Sequence, residues 1–103
     1  MILHLASFRW KPEVTPSDVT GLTDALNDMR TKIPEILSYA AGANLHLRPG
    51  GADYAVAAIL ADPAGLDTYL DHPDHKAVYD RYLGWMIAER SAAQLPISEG
   101  HFI

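Results

Sequence analysis

Two predicted helices meet in the segment Thr68-Tyr69-Leu70-Asp71-His72-Pro73-Asp74-His75-Lys76-Ala77-Val78-Tyr79, which decides how the second half of the chain folds. Pro73 suits the first turn of a helix, because its missing N–H group would have no partner there, so His72 is predicted to cap that helix. His75 then falls in the first turn, where the helix dipole favours the neutral imidazole near pH 7. Together with His4, this segment supplies side chains that can move protons.

The composition is that of one small domain, which we expect to span residues 1–103. The formal net charge is −5 and the eight lysines and arginines are scattered, which argues against a nucleic acid or an anionic membrane as partner. The chain has no cysteine, which excludes disulfides, thiolate nucleophiles and cysteine metal sites. The apolar residues at the N-terminus are too few for a signal sequence or a membrane span. We therefore expect a cytoplasmic protein.

Seven segments have the period of a strand or of a helix. Predicted strands, in which apolar residues alternate or form a short run, cover residues 2–10, 37–47, 53–61 and 94–97. Predicted helices, in which apolar residues recur at spacings of three and four, cover residues 16–32, 64–70 and 73–90.

This order predicts a ferredoxin-like βαββαβ sandwich of the α+β class, an antiparallel sheet with helices on one face. The first and third predicted strands carry apolar side chains on both faces, so the helices leave one apolar face uncovered. A patch of that size usually marks an interface. We therefore expect two sheets to stack face to face in a symmetric homodimer.

Four segments resemble, in order and spacing, the stress-responsive dimeric α/β-barrel (Dabb) domain family. They are residues 4–11, 33–36, 53–56 and 69–75, and the Tyr-x-x-His-Pro-x-His pattern of the last is the most specific. The resemblance covers almost the whole chain. It implies a ferredoxin-like subunit that pairs through its sheet into a barrel, in agreement with the count of apolar faces.

The same resemblance implies candidate catalytic residues. One branch of the family, plant olivetolic acid cyclase, closes a linear polyketide into a ring with two histidines and tyrosines, and the matching positions here are His4, His75 and Tyr69. A further tyrosine of the cyclase falls near Leu26 in this sequence and is missing, which weakens the case for a polyketide substrate. A neutral His75 could act as general base while His4 or Tyr69 holds a carbonyl oxygen.

Other residues around these three have two possible roles. His72, Tyr79, Tyr82 and Trp85 are candidates for the wall of a ligand pocket. Equally, His72 can serve as a helix cap and the three aromatic residues, at helical spacing, can belong to the core. His4 can likewise be a core histidine, and the sequence does not say which sheet face it points to.

We expect neither a metal nor another cofactor. His72 and His75 lie three residues apart beside Asp71 and Asp74, but no third ligand stands out elsewhere. The pair Gly50-Gly51 precedes a strand and lacks the helix N-terminus that a phosphate loop requires. His46 and His101 are expected at the surface.

Two hypotheses follow. The chain either binds, and converts, a hydrophobic carbonyl compound in a pocket between sheet and helices, or it is a non-catalytic dimer whose role is structural or lies in binding a partner. Cavity size distinguishes them, since a ligand site is expected to measure a few hundred cubic ångströms.

Overall fold

The computed structural model describes residues 1–99, which form a four-stranded antiparallel sheet with helices packed on one face. The strands are β1 (Ile2–Trp10), β2 (Ile36–Ala43), β3 (Tyr54–Leu60) and β4 (Ile87–Pro96). The helices are α1 (Pro16–Arg30), α2 (Pro63–Asp71), α3 (Pro73–Val78) and α4 (Gly84–Met86), and a π-helical segment, Tyr79–Leu83, joins the last two. His101 lies outside the described residues.

The strand order β2-β3-β1-β4 confirms the predicted ferredoxin-like sandwich. β1 is central and pairs antiparallel with β3 on one side and with β4 on the other. Its even-numbered residues point towards the helices, so His4, Ala6 and Phe8 are buried in the interior. The layer between sheet and helices is the core, and its fully buried large side chains are Leu22, Leu26, Met29, Ile33, Tyr54, Leu60 and Met86.

Capping residues begin the helices, and the cap predicted at His72 forms. Thr15 and Asp18 make a reciprocal capping box at the start of α1, with Pro16 in the first turn. His72 ends α2 and also begins α3, because its Nδ1 accepts a hydrogen bond of 3.1 Å from the backbone N–H of Asp74. This double cap fixes the angle between the two helices and therefore the position of His75.

The prediction for the C-terminal part of the chain was wrong in its boundaries. Helical structure ends at Met86 and not near Arg90, and the last strand covers Ile87–Pro96 instead of residues 94–97. The segment 87–94 has no glycine or proline to stop a helix. It is extended because it pairs with β1 along the whole of that strand, and this tertiary pairing overrides its local helix preference.

The second strand was also predicted too long. β2 ends at Ala43, and the following loop carries Leu45 and Leu47 into solvent, with His46 exposed as expected at a positive φ of 52°. Asn44 holds the loop together, since its side chain donates a hydrogen bond to the carbonyl of Ala52. The alternation of apolar residues in this part of the sequence therefore does not reflect a sheet.

The outer face of the sheet has no helix over it, as predicted. At its centre Leu5 lies between Ala57 of β3 and Ala93 of β4. Leu5 and Leu95 both expose a third or more of their surface. Within residues 1–99, no helix is long and apolar enough to cross a membrane.

Candidate functional site

A cavity of about 50 Å³ lies between the inner face of the sheet and the helices. It is mostly apolar, with a few polar side chains converging on it. Its lining residues are His4, Ala6, Phe8, Leu26, Tyr39, Val56, Tyr69, Leu70, His75, Tyr79, Leu83, Ile87 and Arg90. All three residues proposed as catalytic from the sequence, His4, Tyr69 and His75, therefore face one space.

A row of four residues runs across the sheet, and two of them, Tyr39 and His4, line the cavity. Register places Tyr39 of β2, Ala58 of β3, His4 of β1 and Gln94 of β4 side by side. All four belong to the helix-facing side, which settles the direction of His4 left open by the sequence. The small side chain of Ala58 leaves room between the two rings on either side of it.

His4 is held in one orientation and one tautomer. Its Nδ1 lies 3.0 Å from the amide nitrogen Nε2 of Gln94, and because an amide nitrogen only donates, Nδ1 accepts. The proton of the neutral ring then resides on Nε2. Burial, and next the positive charge of Arg90, lower the pKa of His4 below its ordinary value of 6.5. Near pH 7, His4 is thus a neutral hydrogen-bond donor.

Tyr69 lies between the two histidines. Its ring meets the ring of His4 edge-on, with centroids 6.1 Å apart and planes at 78°, and meets the ring of His75 in the same way at 5.1 Å. The side chain is almost fully buried, and burial raises the pKa of its phenol. Tyr69 is therefore a neutral phenol whose ring contacts both imidazoles.

His75 has a lowered pKa, as its predicted neutral state requires. Burial is the main cause, and the nearby His4 and Arg90 act in the same direction, whereas a hydrogen bond to the backbone carbonyl of Leu70 and the charge of Asp71 oppose it. The sequence suggested the helix dipole as the reason; in the structure burial is the main cause. A neutral imidazole keeps a lone pair on one ring nitrogen, so His75 can accept a proton.

Tyr39 is a site residue that the sequence analysis missed. Its ring meets that of Tyr69 edge-on, with centroids 6.4 Å apart. Its hydroxyl is shut off from solvent, makes no hydrogen bond of good geometry within the described residues, and has its pKa raised by burial and by the neighbouring Tyr69. Only the register of β2 against β3 brings Tyr39 beside His4, and the alternation of β2 alone gave no sign of it.

Of the other four pocket candidates, only Tyr79 lies in the wall of this cavity. Tyr79 lines the cavity together with Leu83, both from the π-helical segment, a distortion frequently found at functional sites. His72 caps α3 and does not line the cavity. The hydroxyl of Tyr82 lies against α1, so close to Gly21 that a β-carbon there would sit 3.0 Å from it.

Trp85 also lies away from the cavity. Its indole N–H donates to the backbone carbonyl of Arg81, and the ring is partly exposed. In the part of the chain that is described, no group of three or more histidines, aspartates or glutamates is placed to hold a metal ion. Leu26 lies in the wall of the cavity and makes this part of the wall apolar.

The family model of the stress responsive A/B barrel domain matches residues 2–93. The chain belongs to this family. No curated protein matches the chain. Among solved structures, this A/B barrel domain is similar to a dimeric ferredoxin-like protein of unknown function from Thermobifida fusca, with 42% identity over 93% of this chain and 90% of that one and a TM-score of 0.87.

Two more distant structures share the fold of this A/B barrel domain. One is a Dabb family protein from Mesorhizobium loti, with 16% identity over 94% of this chain and 97% of that one and a TM-score of 0.77. The other is a hydroxynitrile lyase from Passiflora edulis, with 13% identity over 97% and 95% and a TM-score of 0.79. At these identities the likeness concerns the fold alone.

Proposed function

We propose that this A/B barrel domain binds a small carbonyl compound and catalyses acid–base chemistry at the carbon next to the carbonyl group, without a cofactor. The observation that supports this proposal is the arrangement of His4, Tyr69 and His75 around one cavity, with Tyr69 edge-on to both imidazoles. Two neutral histidines and a protonated phenol are a general base and two donors, which is what enolate formation requires.

Each residue has a defined part in this reaction. The unprotonated ring nitrogen of His75 removes the proton from the carbon. The electron pair of the broken C–H bond forms the carbon–carbon double bond of the enolate, and the π pair of the carbonyl group moves to the oxygen. Tyr69 and the Nε2–H of His4 donate hydrogen bonds to that oxygen as its charge develops. The enolate can then attack a second carbonyl group, which forms a carbon–carbon bond, and the alkoxide that results takes up the proton from His75. The reverse sequence breaks such a bond.

The size of the cavity limits the substrate. A volume of about 50 Å³ is well below the few hundred cubic ångströms expected for a polyketide pocket. It holds a few water molecules, at about 10–15 Å³ each, or a compound with few non-hydrogen atoms. We therefore propose a small substrate and not a polyketide, in agreement with the leucine at position 26.

Self-association is the second part of the proposal. The outer face exposes Leu5 and Leu95 around a centre of alanines, and an apolar face of this kind is usually covered. The similar protein from Thermobifida fusca is described as dimeric. We propose that this chain also forms a homodimer through the outer face, which leaves the cavity on the inner side of each sheet.

A non-catalytic dimer is the alternative, and the small cavity favours it. A structural subunit is expected to be filled by side chains at this position, and 50 Å³ is closer to that state than to a large ligand site. The two candidates differ in one respect that can be measured, since only the first gives His75 a chemical role.

Solvent exchange of a simple ketone tests the role of His75. Butan-2-one in deuterated buffer loses the protons next to its carbonyl, and NMR follows the loss. We expect the wild type to accelerate this exchange and His75→Asn to lower the enzymatic rate by about a hundredfold or more, the usual contribution of a general base.

His46→Asn is the matched control, because His46 is an exposed loop histidine, and it should exchange like the wild type. Melting curves establish that both variants are folded. If His75→Asn is as active as the wild type, the proposed mechanism is wrong. If the wild type itself gives no exchange above buffer, the non-catalytic alternative is supported.

A further inference from the structure

The wall of the cavity contains one permanently charged side chain, that of Arg90. Register places Arg90 opposite Phe8, on the helix-facing side of the edge strand β4, so its side chain lies at the mouth of the cavity, where it is exposed. None of the lining residues is a carboxylate. Among residues 1–99, no ion pair joins Arg90 to an acidic side chain.

The neighbouring charges do not compensate Arg90. Glu89 is next in sequence, but its side chain lies on the outer face, where it pairs with Arg9 at 3.7 Å. Both cavity histidines are neutral near pH 7, so the net charge of the lining is +1. An unpaired guanidinium beside an apolar cavity attracts an anion more strongly than the same group in water, and its planar fork fits a carboxylate.

The inner end of the cavity suits a neutral ligand atom and not an anion. There the rings of Tyr39 and Tyr69 meet edge-on, and the buried hydroxyl of Tyr39 makes no hydrogen bond of good geometry within residues 1–99. Between this end and Arg90 the wall is formed by the short side chains of Ala6 and Val56. A neutral oxygen atom suits the tyrosine end of the cavity, and a negatively charged group suits its mouth. Both ends belong to the same cavity.

On the basis of the proposed function, we infer that the substrate is a short oxo acid: Arg90 binds its carboxylate at the mouth of the cavity, while Tyr69, with Tyr39 beside it, donates a hydrogen bond to its ketone oxygen inside. Arg90 is then the residue that determines specificity. His75 remains the base that acts on the carbon beside the ketone.

Three compounds of similar size test the contributions of the carboxylate and of the ketone separately. Pyruvate has both groups, pyruvamide keeps the ketone but is neutral, and propanoate keeps the carboxylate but lacks the ketone. Their binding is measured by NMR titration from the ring resonances of His4 and His75. We expect pyruvate to bind at least about tenfold more tightly than either analogue, the usual gain from one charge-assisted contact.

Arg90→Gln should lower the affinity for pyruvate to that for pyruvamide and leave the affinity for pyruvamide unchanged. Arg9→Gln is the matched control, because it removes an arginine from the adjacent position on the other face of the sheet, and it should bind like the wild type. Equal affinities of pyruvate and pyruvamide would overturn the inference and leave the proposed carbonyl chemistry standing.

Other outcomes are equally decisive. If propanoate binds as tightly as pyruvate, Arg90 is a general anion site and the ketone part of the inference is wrong. If none of the three compounds binds at millimolar concentration, the oxo-acid inference is wrong. In that case exchange of butan-2-one still decides on the proposed function, since it does not depend on Arg90.

Discussion

The ring of Tyr39 meets the ring of Tyr69 edge-on, with centroids 6.4 Å apart, yet the buried hydroxyl of Tyr39 makes no hydrogen bond of good geometry within the described residues. A buried hydroxyl without a partner costs stability, because it has lost its hydrogen bonds to water. Such a cost is more easily understood if the group serves a ligand. Stability and binding should therefore respond in opposite directions when it is removed.

Tyr39→Phe should leave the protein as stable as the wild type, or more stable by about 1 kcal/mol, because it removes an unsatisfied polar atom and keeps the ring. Pyruvate binding should weaken in the same variant. Urea unfolding and the NMR titration provide the two measurements. A clear loss of stability would mean that the hydroxyl has a structural partner.

Tyr54→Phe is the matched comparison. Tyr54 is fully buried as well, but its hydroxyl shares a hydrogen bond of 2.8 Å with that of Thr23. Removing it should cost about 1 kcal/mol, since a satisfied bond is lost and Thr23 loses a partner. Pyruvate binding should not change, because Tyr54 does not line the cavity. Equal effects of the two variants on stability would contradict the assignment of Tyr39.

The stability of the fold should decrease as the pH falls below 6.5. His4 and His75 both have pKa values lowered by burial, so the folded state binds fewer protons than the unfolded state. Their contribution is complete above the ordinary histidine pKa of 6.5 and is lost progressively as the pH falls towards their folded values.

Denaturant unfolding between about pH 7.5 and about pH 5 measures this slope, because histidine is the side chain that ordinarily titrates there. The double variant His4→Gln with His75→Asn should have a flatter profile than the wild type, whatever its absolute stability. An unchanged slope in the double variant would show that other groups cause the dependence.

The sequence was sufficient for the fold, and its resemblance to the A/B barrel family implied three residues of the candidate site, His4, Tyr69 and His75. The order of periods predicted the sandwich, and Pro73 predicted the cap by His72. The sandwich and the cap depend on local chemistry or on alternation within one element. They can be recognised without knowing how distant strands align.

The parts of the site that were missed depend on register. Tyr39 and Gln94 reach His4 only because β2, β3, β1 and β4 align in one row, and Arg90 reaches the cavity only because residues 87–96 form a strand and not a helix. The local helix preference of residues 87–90 led to the wrong prediction that the helix continues to Arg90. Tyr82 was misplaced for a similar reason, because the contact with Gly21 that orients it lies on another helix.

Arg90→Gln should raise the pKa of both His4 and His75. The positive charge of Arg90 opposes protonation of either ring, and its removal ends that repulsion. The values should stay below 6.5, because burial is the larger cause for each. Titration of the ring resonances by NMR measures both values in one experiment.

Arg9→Gln should leave the two pKa values unchanged, since Arg9 lies on the opposite face of the sheet. High salt should act on the wild type in the same direction as Arg90→Gln, because ions screen an exposed charge. If the histidines of Arg90→Gln titrate as in the wild type, Arg90 is too distant to contribute charge to the cavity, and the specificity assigned to it is also contradicted.

Association through the outer face can be tested at Leu5, which lies between Ala57 and Ala93 at the centre of that face. We expect Leu5→Glu to weaken dimer formation by about a hundredfold or more, since an unpaired carboxylate buried in an apolar interface costs several kcal/mol. Leu47→Glu is the control, because Leu47 is 82% exposed in the loop after β2 and should not affect the dimer. Sedimentation equilibrium at micromolar concentration gives the masses. A monomeric wild type, or a Leu5→Glu variant that remains dimeric, would show that the outer face does not form the interface.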